Sequence, residues 1–285
     1  MTVRLEVPEG FVFHSRDRAV LVADAARLDD LLGAGLDRPE RWSELLAAAP
    51  AAAGRGPVAR LRLADASGLV LKEMRRGGLT GPCWRGRFAG TRRLLDNLRI
   101  PLTAAARGLA TPAPVALLLL PGPPGFWRGW LAVEEIEAAT ELGTLLLEGP
   151  AAKPLAVAMR LVRRMHDAGV DHRDLNLGNL LVRGIGSEEA EAFVIDLDGA
   201  RLRQGPLPFR ARELALHRME RSWIKRAAGG EVDDGDRDAL YRLYAGDDAE
   251  LAARLKAGRA SGRRRIRLHR LGWRHRERRA PRGGR

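Results

Sequence analysis

The feature that most constrains the chain is the stretch MHDAGVDHRDLNLGNLLV, residues 165–182. It crowds His172, Arg173, Asp174, Asn176 and Asn179 between two apolar runs. A helical pattern with apolar residues at 155, 158, 159, 162 and 165 leads into it and stops at Gly169. A short strand pattern, NLLVRG, leads out. Polar groups at such a junction belong either to a solvated turn or to a site. The second apolar strand pattern, VIDLDGA, decides between them. It places Asp196 at a strand end 22 residues beyond Asp174, and the two segments together read as a site.

The chain around this stretch is strand-rich first and helix-rich later. Residues 1–23 suggest two short strands, VRLEV and AVLVAD. LDDLLGAGL and PERWSELLAAA have helical spacing, the second opening on Pro39. GRGPVARLRLADASGLVLKEM (54–74) predicts two strands joined by the turn DASG. CWRGRFAGTRRLLDNL reads as a helix through Trp84, Phe88, Leu94, Leu95 and Leu98. PVALLLL and GWLAVEEI are strand patterns around the loop PGPPG. Phe209 to about Lys256 is helical, broken at AGGEVDDGD. The fold class expected is α+β: a strand-rich N-lobe (1–137), a helical C-lobe (138–257) and a basic tail (258–285).

The residue types at these positions suit phosphoryl transfer. Asn179 and Asp196 offer two hard oxygens, and Mg²⁺ takes a few such ligands plus substrate phosphates. Asp174 faces the same task from the loop and can receive a hydroxyl proton. Upstream, Gly54 and Gly56 precede a strand, and Lys72 lies on the next one. A glycine turn lets backbone amides approach phosphates, and a strand lysine can reach over them. The order of glycine turn, strand lysine, helix, HRDxxxxN and apolar-apolar-Asp is that of the bilobal protein-kinase-like fold.

GRGPV, KEMRRGGL, MHDAGVDHRDLNLGNLLV, FVIDLDGARL and ELALHRMERS together resemble the lipopolysaccharide core kinases, which phosphorylate Kdo or heptose sugars of the inner core. The resemblance covers roughly residues 54–225. It implies an ATP- and Mg²⁺-dependent kinase with Asp174 as catalytic base, Asn179 and Asp196 on the metal, and Lys72 on the α- and β-phosphates under Gly54 and Gly56. VEEIE (133–137) would hold adenine through the backbone at Glu135 and Ile136. His172 and Arg173 would brace the loop, and Asp198 would cap a turn or assist the metal. Asn176 stands where protein Ser/Thr kinases commonly carry Lys. The helix after Lys72 lacks the family's pairing Glu and has only Asp96, one methylene shorter, so the expected pairing of Lys72 with this helix is weak or indirect. Only 12 residues separate Asp196 from Pro208, so a phospho-regulated activation loop is not expected.

Charge adds an expectation about partners. Net charge is +13, and all of the excess sits between Arg254 and Arg285, where 13 Arg and one Lys face only Glu277. Such a run is drawn to polyanions: an anionic glycolipid at a membrane face, or nucleic acid, the latter disfavoured by the lack of an aromatic-rich binding motif. Cys83 is the single cysteine, which excludes an internal disulfide. MTVRLEVPEG has no signal pattern, and VALLLL is far short of the ~20 apolar residues of a membrane span. The expected location is therefore cytoplasmic, peripheral on the inner face of the inner membrane. A small-molecule phosphotransferase or atypical protein kinase would share the same catalytic residues. A pseudokinase-like scaffold binding a polyanion through its tail is the reading of another class.

Overall fold

The structure, a computed structural model, describes residues 6–50, 56–75, 86–149, 152–187, 189–227 and 232–258. Gly54, Cys83 and the arginine-rich run from 259 onward lie outside these. The chain divides into two compact units, one of residues up to 139 with 193–202, the other of 140–192 with 203 onward. The segment carrying Asp196 and Asp198 thus belongs to the first unit.

The first unit is built on an antiparallel sheet. Its strands are β1 (Phe11–Arg16), β2 (Ala19–Asp24), β3 (Val58–Arg62), β4 (Gly68–Glu73), β6 (Pro114–Pro121) and β7 (Phe126–Glu134), in the spatial order β1-β2-β6-β7-β4-β3. A short β5 (Phe88–Ala89) pairs with β7. VALLLL is apolar throughout because β6 is covered on both faces. Ala116 and Leu118 pack with Leu31, Leu36, Trp42 and Leu46, the last two on helix α2 (Pro39–Ala48), Leu31 on α1 (Leu28–Gly33). Leu117 and Leu119 pack instead against Leu94, Leu95 and Leu98 of helix α3 (Arg92–Ala106). Gly129 permits that approach, since a Cβ there would stand 2.7 Å from Leu94.

Two sequence expectations shift. The first strand is Phe11–Arg16, not VRLEV; residues 6 and 7 are outside any strand, and 3–5 outside the described residues. As the edge of the sheet, β1 exposes both Val12 and Phe13, so it lacks the period-two signature of a half-buried strand. The helix expected from Cys83 begins at Arg92. Phe88 and Ala89 are in β5, and Gly90 takes a left-handed turn (φ 71°) that ends the strand before the helix starts. The helix then runs past Pro101 to Ala106.

The second unit contains α4 (Leu142–Glu148), α5 (Ala152–Asp167), β8 (Val170–Asp171), β9 (Leu180–Arg183), α6 (Phe209–Arg226), α7 (Asp234–Ala245) and a helical run at 249–258. The expected stripe of Leu155, Ala158, Met159, Val162 and Met165 on α5 is fully buried. Its next residue, His166, is buried too. Tyr244 on α7 accepts a hydrogen bond from Arg212 Nη1 (3.3 Å) and shares a second one, of 2.8 Å, with His166 Nδ1. Arg212 in turn pairs with Asp167 at 2.6 Å.

This arrangement carries a pH dependence. Burial, reinforced by the charge of Arg212, lowers the His166 pKa from 6.5 to about 3. Because the folded value is the lower one, the unfolded chain binds the extra proton. Stability from this group is therefore complete above pH 6.5 and declines as pH falls toward 3, by up to about 1.4 kcal/mol per pH unit. His166→Gln should flatten that decline in urea midpoints measured between pH 4 and 6.5. A slope identical to that of the parent chain would assign the acid sensitivity to other groups.

Candidate active site

The polar stretch forms a braced loop of the second unit. Leu175, Leu177 and Leu180 are fully buried and anchor it to the core. The polar residues between them satisfy one another and the backbone. Asn176 Oδ1 accepts from Gly178 N at 2.9 Å and caps the turn 177–179. The side-chain amides of Asn176 and Asn179 both donate to the Asp174 carbonyl, each at 2.9 Å. That double clamp fixes the backbone of residue 174 while its carboxylate stays exposed. With Nδ2 of Asn179 committed to this bond, its Oδ1 is the atom left to accept a ligand.

Helix α6 supports the same loop. Ser222 Oγ accepts from Leu177 N (3.4 Å), and Arg218 Nη2 donates to the His172 carbonyl (3.4 Å). The His172 side chain is buried, as a bracing role requires, while Arg173 is exposed. Neither Arg218 nor Ser222 was among the residues picked from the sequence. Their four-residue spacing in ELALHRMERS puts them on one helix face, and that polar face was the available signal.

The first unit carries the other residues singled out in the sequence. Lys72 on β4 places Nζ 2.7 Å from Asp196 Oδ1, both groups partly exposed. Asp196 adopts a left-handed backbone (φ 60°), a conformation that non-glycine residues keep at a cost and that is concentrated at functional sites. This bears on the partner of Lys72, which the sequence leaves open. Asp96 of α3 does not pair with it; the carboxylate that reaches Nζ comes from the loop after Val194. An aspartate on the helix is one methylene shorter than the glutamate this pairing normally uses. α3 engages the loop differently, through Arg93 Nη2 and Asp198 Oδ2 at 3.1 Å.

Within VEEIE the acids are occupied by cations: Glu134 by Arg27 at 3.0 Å, Glu135 by Arg60 at 2.7 Å, and Glu137 by Arg62. The backbone N–H of Glu135 bonds the Gly68 carbonyl at 2.9 Å, so that donor is engaged in the sheet rather than presented to a ligand. Ile136 follows directly, outside the strand. Gly56 is described at the approach to β3, near the Arg75 side chain.

Asn179 offers an amide oxygen in the second unit, and Asp196 a carboxylate in the first. Among the described residues no group of three or more His, Cys, Asp or Glu is placed to hold a metal. Asn179 and Asp196 each offer a hard oxygen donor of the kind that Mg²⁺ takes beside water and nucleotide phosphates.

Comparison with known proteins bears on what such residues are for. The profile of the lipopolysaccharide kinase (Kdo/WaaP) family matches residues 50–244. A 3-deoxy-D-manno-octulosonic acid kinase of Xanthomonas campestris pv. campestris (strain B100) is 31% identical over 217 residues, 74% of this chain and 84% of that protein. The enzyme of that name from Actinobacillus succinogenes is 30% identical over 215 residues, 72% of this chain and 88% of the relative. Among solved structures, WaaP in complex with acyl carrier protein superposes with a TM-score of 0.50 at 21% identity, covering 85% of this chain and 98% of that one. This last likeness shows the fold, which is protein-kinase-like.

Proposed function

Because the chain belongs to the lipopolysaccharide kinase (Kdo/WaaP) family, we propose that it transfers the γ-phosphoryl group of ATP to a sugar hydroxyl of the lipopolysaccharide inner core, on a Kdo or heptose residue. The observation that carries this reading is the Asp174 loop: an exposed carboxylate on a backbone held rigid by two asparagine amides. Positioning is most of what phosphoryl transfer asks of a protein. Asp174 orients the acceptor hydroxyl and takes its proton as the oxygen attacks phosphorus and ADP departs.

The remaining roles follow from chemistry. Asn179 Oδ1 and the Asp196 carboxylate are the groups that would hold Mg²⁺, which would neutralise charge on the phosphates. Lys72 exchanges its contact with Asp196 for the α- and β-phosphates, which Gly54 and Gly56 would cover. Adenine is met by the Glu135 carbonyl and the backbone of Ile136. His172 and Asn176 keep the loop in shape, and Asp198 ties the metal loop to α3 through Arg93. The first unit serves as the nucleotide lobe, the second as the catalytic lobe and the basic run as a tail.

The direct test is transfer of label from γ-labelled ATP and Mg²⁺ to a lipid A–Kdo acceptor, beside soluble sugars and protein. Label in the glycolipid supports the reading. Label confined to soluble sugars or protein moves the function to a small-molecule or protein kinase.

The acceptor is anionic and lipid-anchored, so the enzyme works at the inner face of the inner membrane. Among the described residues no helix is long and apolar enough to cross a membrane, and attachment would be peripheral. Each arginine near an anionic surface contributes about 1 kcal/mol, so a few from the tail suffice. Deleting residues 259–285 should abolish flotation with anionic vesicles at 0.1 M salt and leave soluble activity intact. Undiminished flotation of the shortened chain would remove the tail from the account.

A further inference from the structure

Several arginines of the second unit are held by carboxylates. Arg237 holds Glu220 and Asp234, Arg212 holds Asp167, Arg183 holds Glu191, and Arg226 holds Glu141. Arg218 departs from this. It is half-buried on α6, yet among the described residues no carboxylate lies within ion-pair distance. Its one hydrogen bond, to the His172 carbonyl, is long at 3.4 Å. Its Nε is buried and finds no acceptor. Burial depresses its pKa; Asp171 and Asp174 oppose that from a distance, whereas Arg221 and Arg173 add to it.

Arg218 thus reaches the loop that presents Asp174, Arg173 lies in that loop next to Asp174, and Arg221 follows Arg218 by three positions on the same helix; Arg218 is the under-satisfied one. Leaving a buried donor without a partner is costly, and crowding like charges adds to the cost. Both are offset when an anion arrives. An anionic acceptor has the converse difficulty, because it must approach the Asp174 carboxylate and the phosphates of ATP. Guanidinium forks match the two oxygens of a carboxylate or phosphate.

We propose that Arg173, Arg218 and Arg221 form an acceptor subsite that binds an acidic group of the saccharide, a carboxylate or a phosphate, and so sets the hydroxyl against Asp174. This rests on the phosphotransfer reading for its purpose but not for its test. The subsite makes the enzyme selective for acidic sugars over neutral ones of the same shape.

The experiment is equilibrium binding to the full chain, by calorimetry, of free 3-deoxy-octulosonic acid and of its carboxyl-reduced neutral analogue. The acid should bind roughly 10–100-fold more tightly than the analogue, the range of one charge-assisted contact set. Arg221→Gln and Arg173→Gln should each remove most of that preference while leaving ATP affinity unchanged. Arg218→Lys, which keeps a charge without the fork, should remove part of it. Equal binding of acid and analogue by the parent chain overturns a carboxylate subsite. In a second arm, glycolipid acceptors with and without lipid phosphates are compared; a preference that follows the phosphate, and is lost in Arg221→Gln, supports the anion subsite and assigns it to phosphate. No preference in either arm overturns the proposal, as do variants that lose acid, analogue and ATP binding together, since that marks a structural role. Acid-selective binding without any phosphate transfer would retain the subsite and overturn the kinase reading instead.

Discussion

Asp174→Asn is expected to lower phosphate transfer by about 10²–10⁴-fold, the usual contribution of a positioned general base, with ATP affinity and melting temperature nearly unchanged. The substitution is nearly isosteric. What holds the loop is the carbonyl of residue 174, which both asparagine amides address, and an asparagine at 174 retains that carbonyl. What it loses is the ability to accept the acceptor's proton, because a carboxamide is not a base near neutral pH. The carboxylate is exposed, so its replacement leaves no buried charge unpaired and stability should move by less than about 0.5 kcal/mol. Single-turnover transfer, nucleotide titration and thermal unfolding on the same preparation separate these effects. A variant that keeps more than a third of the parent rate would show that Asp174 is not the base.

The loop could be read from sequence because its constraints are local. Asn176 and Asn179 act on a carbonyl two and five positions away, and Leu175, Leu177 and Leu180 place the loop by simple apolar spacing. β6 and α5 were legible for the same reason, as runs whose burial repeats the pattern of their own residues. What escaped was long-range. Lys72 and Asp196 are 124 positions apart, and no local pattern tells that the loop carboxylate, rather than Asp96, reaches the lysine. Arg218 and Ser222 lie on a helix whose amphipathic pattern predicts only that it is a helix. β1 was misplaced because an edge strand with two exposed apolar residues has no period to detect. Glu135 shows a subtler limit: its place after β7 was readable, but the commitment of its N–H to Gly68 depends on the register of β4 against β7.

The pair of Lys72 and Asp196 leads to the second large effect. Asp196→Asn should reduce transfer about 10³-fold, because the metal's stabilisation of phosphate charge amounts to several kcal/mol and each 1.36 kcal/mol is tenfold in rate. Asparagine is the informative choice at this position. The backbone is left-handed (φ 60°), which asparagine tolerates and most residues do not, so the loop geometry is preserved. Loss of the ion pair itself matters little to stability: the Asp196 side chain is 49% exposed, and an ion pair that open to water contributes less than about 1 kcal/mol. The expected signature is therefore a folded protein, with its melting temperature shifted by a degree or two, that needs far more Mg²⁺ for whatever activity remains. Lys72→Met, by contrast, should raise the KM for ATP at an unchanged Mg²⁺ requirement, since in that variant the carboxylate is released to the metal rather than removed. If both substitutions shifted the Mg²⁺ requirement alike, the 2.7 Å contact would be a permanent part of the working site, and the exchange of Lys72 from Asp196 to phosphate would have to be abandoned.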